Sequence, residues 1–164
     1  MDTYAADRLG ASPGDVWVAI CTDAYFRLPA VRLAQAHLHA GGASYLYEFA
    51  WRSPADRLGA CHALELPFVF DTATHPAAQP LLGTHPPQSL ARRMHAAWIH
   101  FARHGHPDWP DYNPTTRPVM TFDTHLRTRQ RPPRQRTRPL GQHHLIPAAR
   151  RSRWRLLLLI PRAR

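Results

Sequence analysis

The sequence predicts an α/β fold across its first three quarters, on three observations. A helical segment is followed by a short aromatic-rich strand, a second strongly periodic helix comes later, and a compact apolar strand closes the pattern. A charge discontinuity marks where that pattern stops. All 11 acidic residues lie at or before Asp123, beside nine arginines, whereas residues 125 to 164 hold twelve arginines and no acid. The formal net charge of +10 is thus −2 for the first part and +12 for the last. Two regions follow: residues 1–124 as one α/β unit, and residues 125–164 as an Arg/Pro-rich tail expected to be disordered.

Taken in order, Val16 to about His39 reads as helix, with Asp23 as a cap and Pro29 as a kink or the start of a second helix; Gly41 and Gly42 stop it. "ASYLYEFAW", 43 to 51, alternates Tyr45, Tyr47, Phe49 and Trp51 with smaller residues and reads as a strand. The loop "RSPADRLGA" then delivers His62. From Gln88 to about His104, Leu90, Met94, Ala97, Trp98 and Phe101 recur at helical spacing and define one apolar face. "GHPDWPDYNPTTRP" is a proline-rich turn region, and "VMTF" at 119 to 122 is a short strand.

Composition excludes several classes. The longest late apolar run, "LLLLI", is far below the roughly 20 residues a membrane helix needs. No apolar leader precedes the first helix, so the expected location is cytoplasmic. Cys21 and Cys61 are too few for a disulfide framework and lack metal-ligand spacing, which leaves two small buried thiols as the expectation. His95, His100, His104 and His106 crowd one helix and its end, but no HExxH pattern accompanies them. They read as solvent-facing, and neither a metal nor a cofactor is expected.

His62 stands apart. A histidine on a loop after a strand, with Gly59 just before it, is placed as the base of a catalytic triad would be. "GACHALELPFVF" resembles the catalytic-histidine block of the type-B carboxylesterases, the para-nitrobenzyl esterase and cholinesterase-like branch of the α/β-hydrolases. Three further stretches agree in order: "TDAYFRLPAVRLAQAH", "YLYEFAWRSP", and "MHAAWIHFARHGHPDWPDY" ending in "RPVMTFD". The resemblance covers about residues 12 to 124.

What the resemblance implies is the last strands and helices of an α/β-hydrolase fold and a small-molecule ester as substrate. The chemistry would be acyl-enzyme hydrolysis by a serine, a histidine and a glutamate. His62 matches the histidine, the group that serves as general base and then general acid. Glu65 lies in the same block but is not the triad acid; it is expected either to support His62 or to make local turn or helix-start hydrogen bonds.

The sequence departs from the family where the partners should be. In the family's order, serine then glutamate then histidine, both partners precede the histidine, yet the chain has no GxSxG and no glycine-rich oxyanion segment. The expectation is a C-terminal fragment that is inactive alone; a further alternative is a piece that a separately encoded N-terminal half complements. Ser44, Ser53 and Ser89 offer no nucleophile elbow, and adjacent side chains diverge too much for Cys61 and His62 to form a dyad. The alternative reading is a non-catalytic module that binds nucleic acid through its arginines. Against it, the tail has no lysine and carries the apolar "LLLLI".

The tail has a further explanation in the genetic code. For His125 to Gly141 one GC-rich codon choice, read one base later, encodes TSELVNDPRGNERARW. That peptide carries the acidic stretch, the DP, the ER and the tryptophan with which the family continues. The tail is therefore expected to be a frameshift near Thr124 or His125. Sequencing the locus checks it: the real codons, read one base later, should give DP, ER and Trp in that order, and their absence would make the tail genuine protein.

Overall fold

The computed structural model describes residues 10–55, 58–125, 127–130 and 155–159. Its elements are helix α1 (Pro13–Thr22), a π-helical turn (Asp23–Arg27), α2 (Leu28–His39), strand β1 (Ala43–Phe49), α3 (Leu66–Val69), a 3-10 turn (Pro76–Ala78), α4 (Gln79–Leu82), α5 (Gln88–His104), and strands β2 (Pro118–Phe122), β3 (Arg127–Gln130) and β4 (Arg155–Leu159). The strand order is β3-β2-β1-β4. β1 runs parallel to both β2 and β4, and β3 is antiparallel to β2. Helices thus cover a mainly parallel sheet, and the α/β expectation holds.

The first helix begins where Ser12 caps it. Its hydroxyl accepts from the Asp15 amide at 3.2 Å while Asp15 reaches back to the Ser12 amide, a reciprocal pair preceding Pro13. Asp23 is the C-cap of this helix, as expected, its amide donating to the Ala19 and Ile20 carbonyls, but its backbone stays helical. The chain stays helical but widens by one residue, the Leu28 amide donating to the Asp23 carbonyl. The wider turn absorbs Pro29, which sits in the first turn of α2 where its missing N–H costs least. The Asp23 side chain pairs with Arg27 at 2.8 Å, one helical turn on.

β1 is buried on both sides, every residue from Ser44 to Trp51 being enclosed. Its odd-numbered side chains, Tyr45, Tyr47 and Phe49, pack with Leu64, Phe68, Leu90, Met94 and Phe122 in the larger core. Leu46, on the other face, packs with Ala34, Tyr112 and Val119, with Ala30 and Val31 of α2 against them. The alternation seen in the sequence is therefore aromatic against non-aromatic, rather than inside against outside. Gly42 makes the entry to β1 possible, because a Cβ there would collide with the His37 ring.

α5 spans the predicted residues and buries Leu90, Ala91 and Met94. Trp98 meets Tyr47 edge-on at 6.2 Å. Gly105 ends the helix at φ 74°, the left-handed conformation glycine adopts without a Cβ penalty.

Two stretches of the tail correct the expectation of disorder. Arg127–Gln130 pairs with β2, with Val119 opposite Arg129, and Arg155–Leu159 pairs with β1, with Tyr45 opposite Leu157. Both lie free of proline and find open strand edges, where backbone pairing needs no particular side chain. The rest of the tail, Pro132, Pro133 and Pro139 included, lies outside the described residues. Among the described residues no helix is long and apolar enough to cross a membrane.

Leu90 is fully enclosed at the centre of the larger core. Leu90→Ala is expected to lower the unfolding free energy by about 2–5 kcal/mol, whereas Arg92→Ala, two residues on and on the exposed side, should stay within about 0.5 kcal/mol. Urea unfolding of the two variants measures the contrast.

Candidate active site

His62 and Glu65 are brought together at the rim of one pocket by a tight series of turns. The loop after β1 is fastened first: the Ser53 amide donates to the Gly59 carbonyl at 3.0 Å, and the Ser53 hydroxyl donates to the Leu81 carbonyl at 2.6 Å. Gly59 takes a positive φ of 60° within this crossing. Residues 62–65 then form turns that lead into α3, with Ala63 at φ 64°, an uncommon conformation for a residue bearing a Cβ. The left-handed step at Ala63 lets the chain reverse between His62, which is exposed, and Leu64, which is fully buried.

The pocket, of about 250 Å³, is lined by Tyr25, Phe26, Phe49, Ala60, Cys61, His62, Ala63, Glu65 and Leu159. Phe26 stacks on the His62 imidazole, with ring centres 5.6 Å apart and planes 28° from parallel. A carboxylate, an imidazole and aromatic walls therefore face one small cavity. Sequence reasoning placed His62 and Glu65 but missed Tyr25 and Phe26; the quoted stretch "TDAYFRLPAVRLAQAH" contained both, and only the π-helical turn aims them here.

Glu65 is buried, 9% exposed, at the residue preceding α3, and its side chain makes no capping hydrogen bond. Glu65 holds the N-cap position through its backbone, its carbonyl accepting from the Phe68 and Val69 amides, and not through its carboxylate. Its charge is instead felt by Tyr47: burial holds the Tyr47 phenol well above its ordinary range, and the neighbouring Glu65 carboxylate adds to the effect.

The other candidates fall away from the cavity. Ser44 is buried on β1 and shares a 2.9 Å hydrogen bond with His37 Nδ1. The Ser53 hydroxyl is committed to the loop, and Ser89 stands exposed at the start of α5. Neither these serines nor His37 lines the pocket. Cys61 and Cys21 are both free and half-buried rather than enclosed. His95, expected to face solvent, is half-buried and binds the Val69 carbonyl through Nδ1 at 2.8 Å, tying α5 to α3. Among the described residues no three His, Cys, Asp or Glu side chains are already gathered to hold a metal.

Comparison with known proteins agrees with this geometry. The carboxylesterase family model matches residues 3–139. This chain belongs to the carboxylesterase family. It is 33% identical over 120 residues to the para-nitrobenzyl esterase of Bacillus subtilis (strain 168), an overlap covering 66% of this chain and 24% of that protein. Against carboxylesterase 5A of Homo sapiens the identity is 33% over 124 residues, covering 66% of this chain and 21% of the human one. Among solved structures, the crystal structure of carboxylesterase EST55 of Geobacillus stearothermophilus superposes with a TM-score of 0.65 at 31% identity. That match covers 77% of this chain and 28% of EST55. This carboxylesterase-family chain thus spans about a quarter of the length of the relatives it matches.

Tyr47 yields a pH dependence whose sign follows from its raised phenol. In the unfolded chain the phenol ionises near pH 10, whereas in the fold it holds its proton higher. The folded state therefore binds more protons above that pH, and the Tyr47 contribution to stability, complete below about pH 10, is lost as pH rises further. Tyr47→Phe should flatten this alkaline loss, measured by thermal melts between pH 8 and about 11.

Proposed function

We propose that this chain contributes the histidine arm of a carboxylic ester hydrolase, with His62 as general base and acid. The observation that carries the reading is the exposed His62 imidazole at an aromatic cavity whose buried carboxylate is Glu65, in a chain of the carboxylesterase family. In the reaction so assigned, a serine Oγ attacks the ester carbonyl carbon and its proton passes to the imidazole. The tetrahedral oxyanion then collapses, the carbon–alkoxide bond breaks, and the imidazolium returns the proton to the departing alcohol. Water repeats the sequence on the acyl-enzyme and regenerates the serine. The aromatic walls suit the apolar part of a small ester, and Glu65 supports the site without being the triad acid.

The serine and the acid are not supplied by these 164 residues, since no GxSxG elbow occurs and the described serines face elsewhere. The chain alone is accordingly inactive in this reading, and a separately encoded segment bearing serine, glutamate and oxyanion donors would complete it. Trp17, Val18, Tyr25, Phe26, Leu66 and Phe70 stand exposed, and support a surface that such a segment would cover.

On nitrophenyl esters the full chain is expected to turn over no faster than its His62→Ala variant, because loss of the nucleophile and of the oxyanion donors leaves little to accelerate. Steady-state absorbance assays at matched concentration make the comparison. Turnover that disappears with His62→Ala would overturn the proposed dependence on a second segment.

A further inference from the structure

Strand β4 fills an edge that the sheet cannot leave open, yet it lies outside the segment that matches the family. β1 is enclosed on both faces, so its backbone groups must be paired along both edges. β2, within the matched residues 3–139, takes one edge. β4 takes the other, in parallel register from Ala43 opposite Arg155 to Tyr47 opposite Leu159. A chain that shares only the matched segment has no β4, and its β1 edge must be filled by a strand from elsewhere. β4 also reaches the candidate active site, because Leu159 lines the His62 pocket together with Phe26 and Glu65. Leu158 packs against Leu46, Tyr112 and Val119 on the opposite face of the sheet. At the start of the strand the hold is polar: Arg155, an exposed residue, donates to the Tyr45 hydroxyl at 3.2 Å and to the Gly105 carbonyl at 3.3 Å.

We propose that β4 is an exchangeable, autoinhibitory strand: it holds the β1 edge and walls the His62 pocket, and an apolar strand of the complementing segment must displace it before the site is completed. This rests on the reading that a second segment supplies the serine and the acid. The chemistry of the incoming strand follows from its seat, since β1 is buried from Ser44 onward and a strand laid beside it enters an apolar layer. Ladder hydrogen bonds carry little sequence information, which lets a leucine run from the tail stand in for another apolar strand. One edge accepts one strand, so pairing with β4 and pairing with a second segment exclude each other. Leu158 and Leu159 are only partly buried, and backbone pairing rather than sealed side chains is what seats β4. Because Leu159 is part of the pocket wall, departure of β4 also opens the cavity around His62.

Fluorescence anisotropy of a fluorescein-labelled peptide of residues 153–159, RWRLLLL, titrated with the full chain tests the exchange. In the unaltered chain the peptide competes with β4 and binds weakly. Arg155→Ala truncates an exposed side chain and removes its two hydrogen bonds, so the apparent affinity for the peptide should tighten about tenfold. Leu157→Pro combined with Leu158→Pro should tighten it further. Consecutive strand residues point their N–H groups to opposite sides, so one of the two prolines must fall on the β1 ladder. In that double variant the amides of residues 43–47 that face β4 should exchange hydrogen faster than in the unaltered chain, those facing β2 should not, and added peptide should restore the protection. The same peptide carrying both prolines should not bind. Equal peptide affinity for the unaltered chain and Arg155→Ala, or unchanged exchange in the folded double variant, would overturn the proposal; where the double variant does not fold, Arg155→Ala decides. None of these measurements uses ester turnover, so failure of strand exchange and failure of the histidine-arm reading are seen separately.

Discussion

Backbone pairing along β1 is the constraint from which the rest of the structure follows. Its residues from Ser44 onward are sealed from water on both faces, so each buried N–H and C=O must find a protein partner at the strand's edges. β2 supplies one edge, and the Ala50 amide extends that pairing beyond the strand by donating to the Phe122 carbonyl at 2.7 Å. β4 supplies the other. With both edges taken, only the faces remain for helices. α5 takes the face of Tyr45, Tyr47 and Phe49, and α2 takes that of Leu46.

The same strand explains how the helical side of the molecule reaches the candidate active site. Within one π-helical turn, Arg27 reaches the buried Glu48 of β1 at 3.3 Å, while its neighbours Tyr25 and Phe26 reach the His62 pocket. A regular α-helix advances about 100° per residue, and the extra residue of a π turn shifts everything before it relative to everything after. The wide turn therefore does two things at once: it neutralises a carboxylate enclosed beside the sheet, and it aims an aromatic ring at the imidazole. Fold and site are joined through consecutive residues.

Much of this was legible in the chain. Local periodicity revealed α5, because Leu90, Met94 and Trp98 recur every four residues and each reports the same buried face. The aromatic alternation of β1 and the short β2 were legible for the same reason, as was the loop that presents His62. The π turn was not, since "DAYFR" carries no local signal that separates it from ordinary helix and only Pro29 hints at irregularity. Nor were the pairings of Arg127–Gln130 and Arg155–Leu159, which depend on strand edges formed far away in sequence.

By itself the sequence determined the α/β class, the helix and strand segments of the first three quarters, the discontinuity in charge, and His62 with Glu65 as the residues of interest. These properties are written in spacings of two to four residues, or in motifs of about a dozen, and so survive without knowledge of any distant neighbour. Tertiary structure alone decided which aromatic rings wall the His62 cavity, that the Glu65 carboxylate acts on Tyr47, that His95 is a tie between helices, and that His106 and Asp108 join the His100–His104 pair. Each of these depends on contacts across a turn of unusual geometry or between elements many residues apart. Burial and charge act through space, and space is assigned only once β1 has gathered the chain around it.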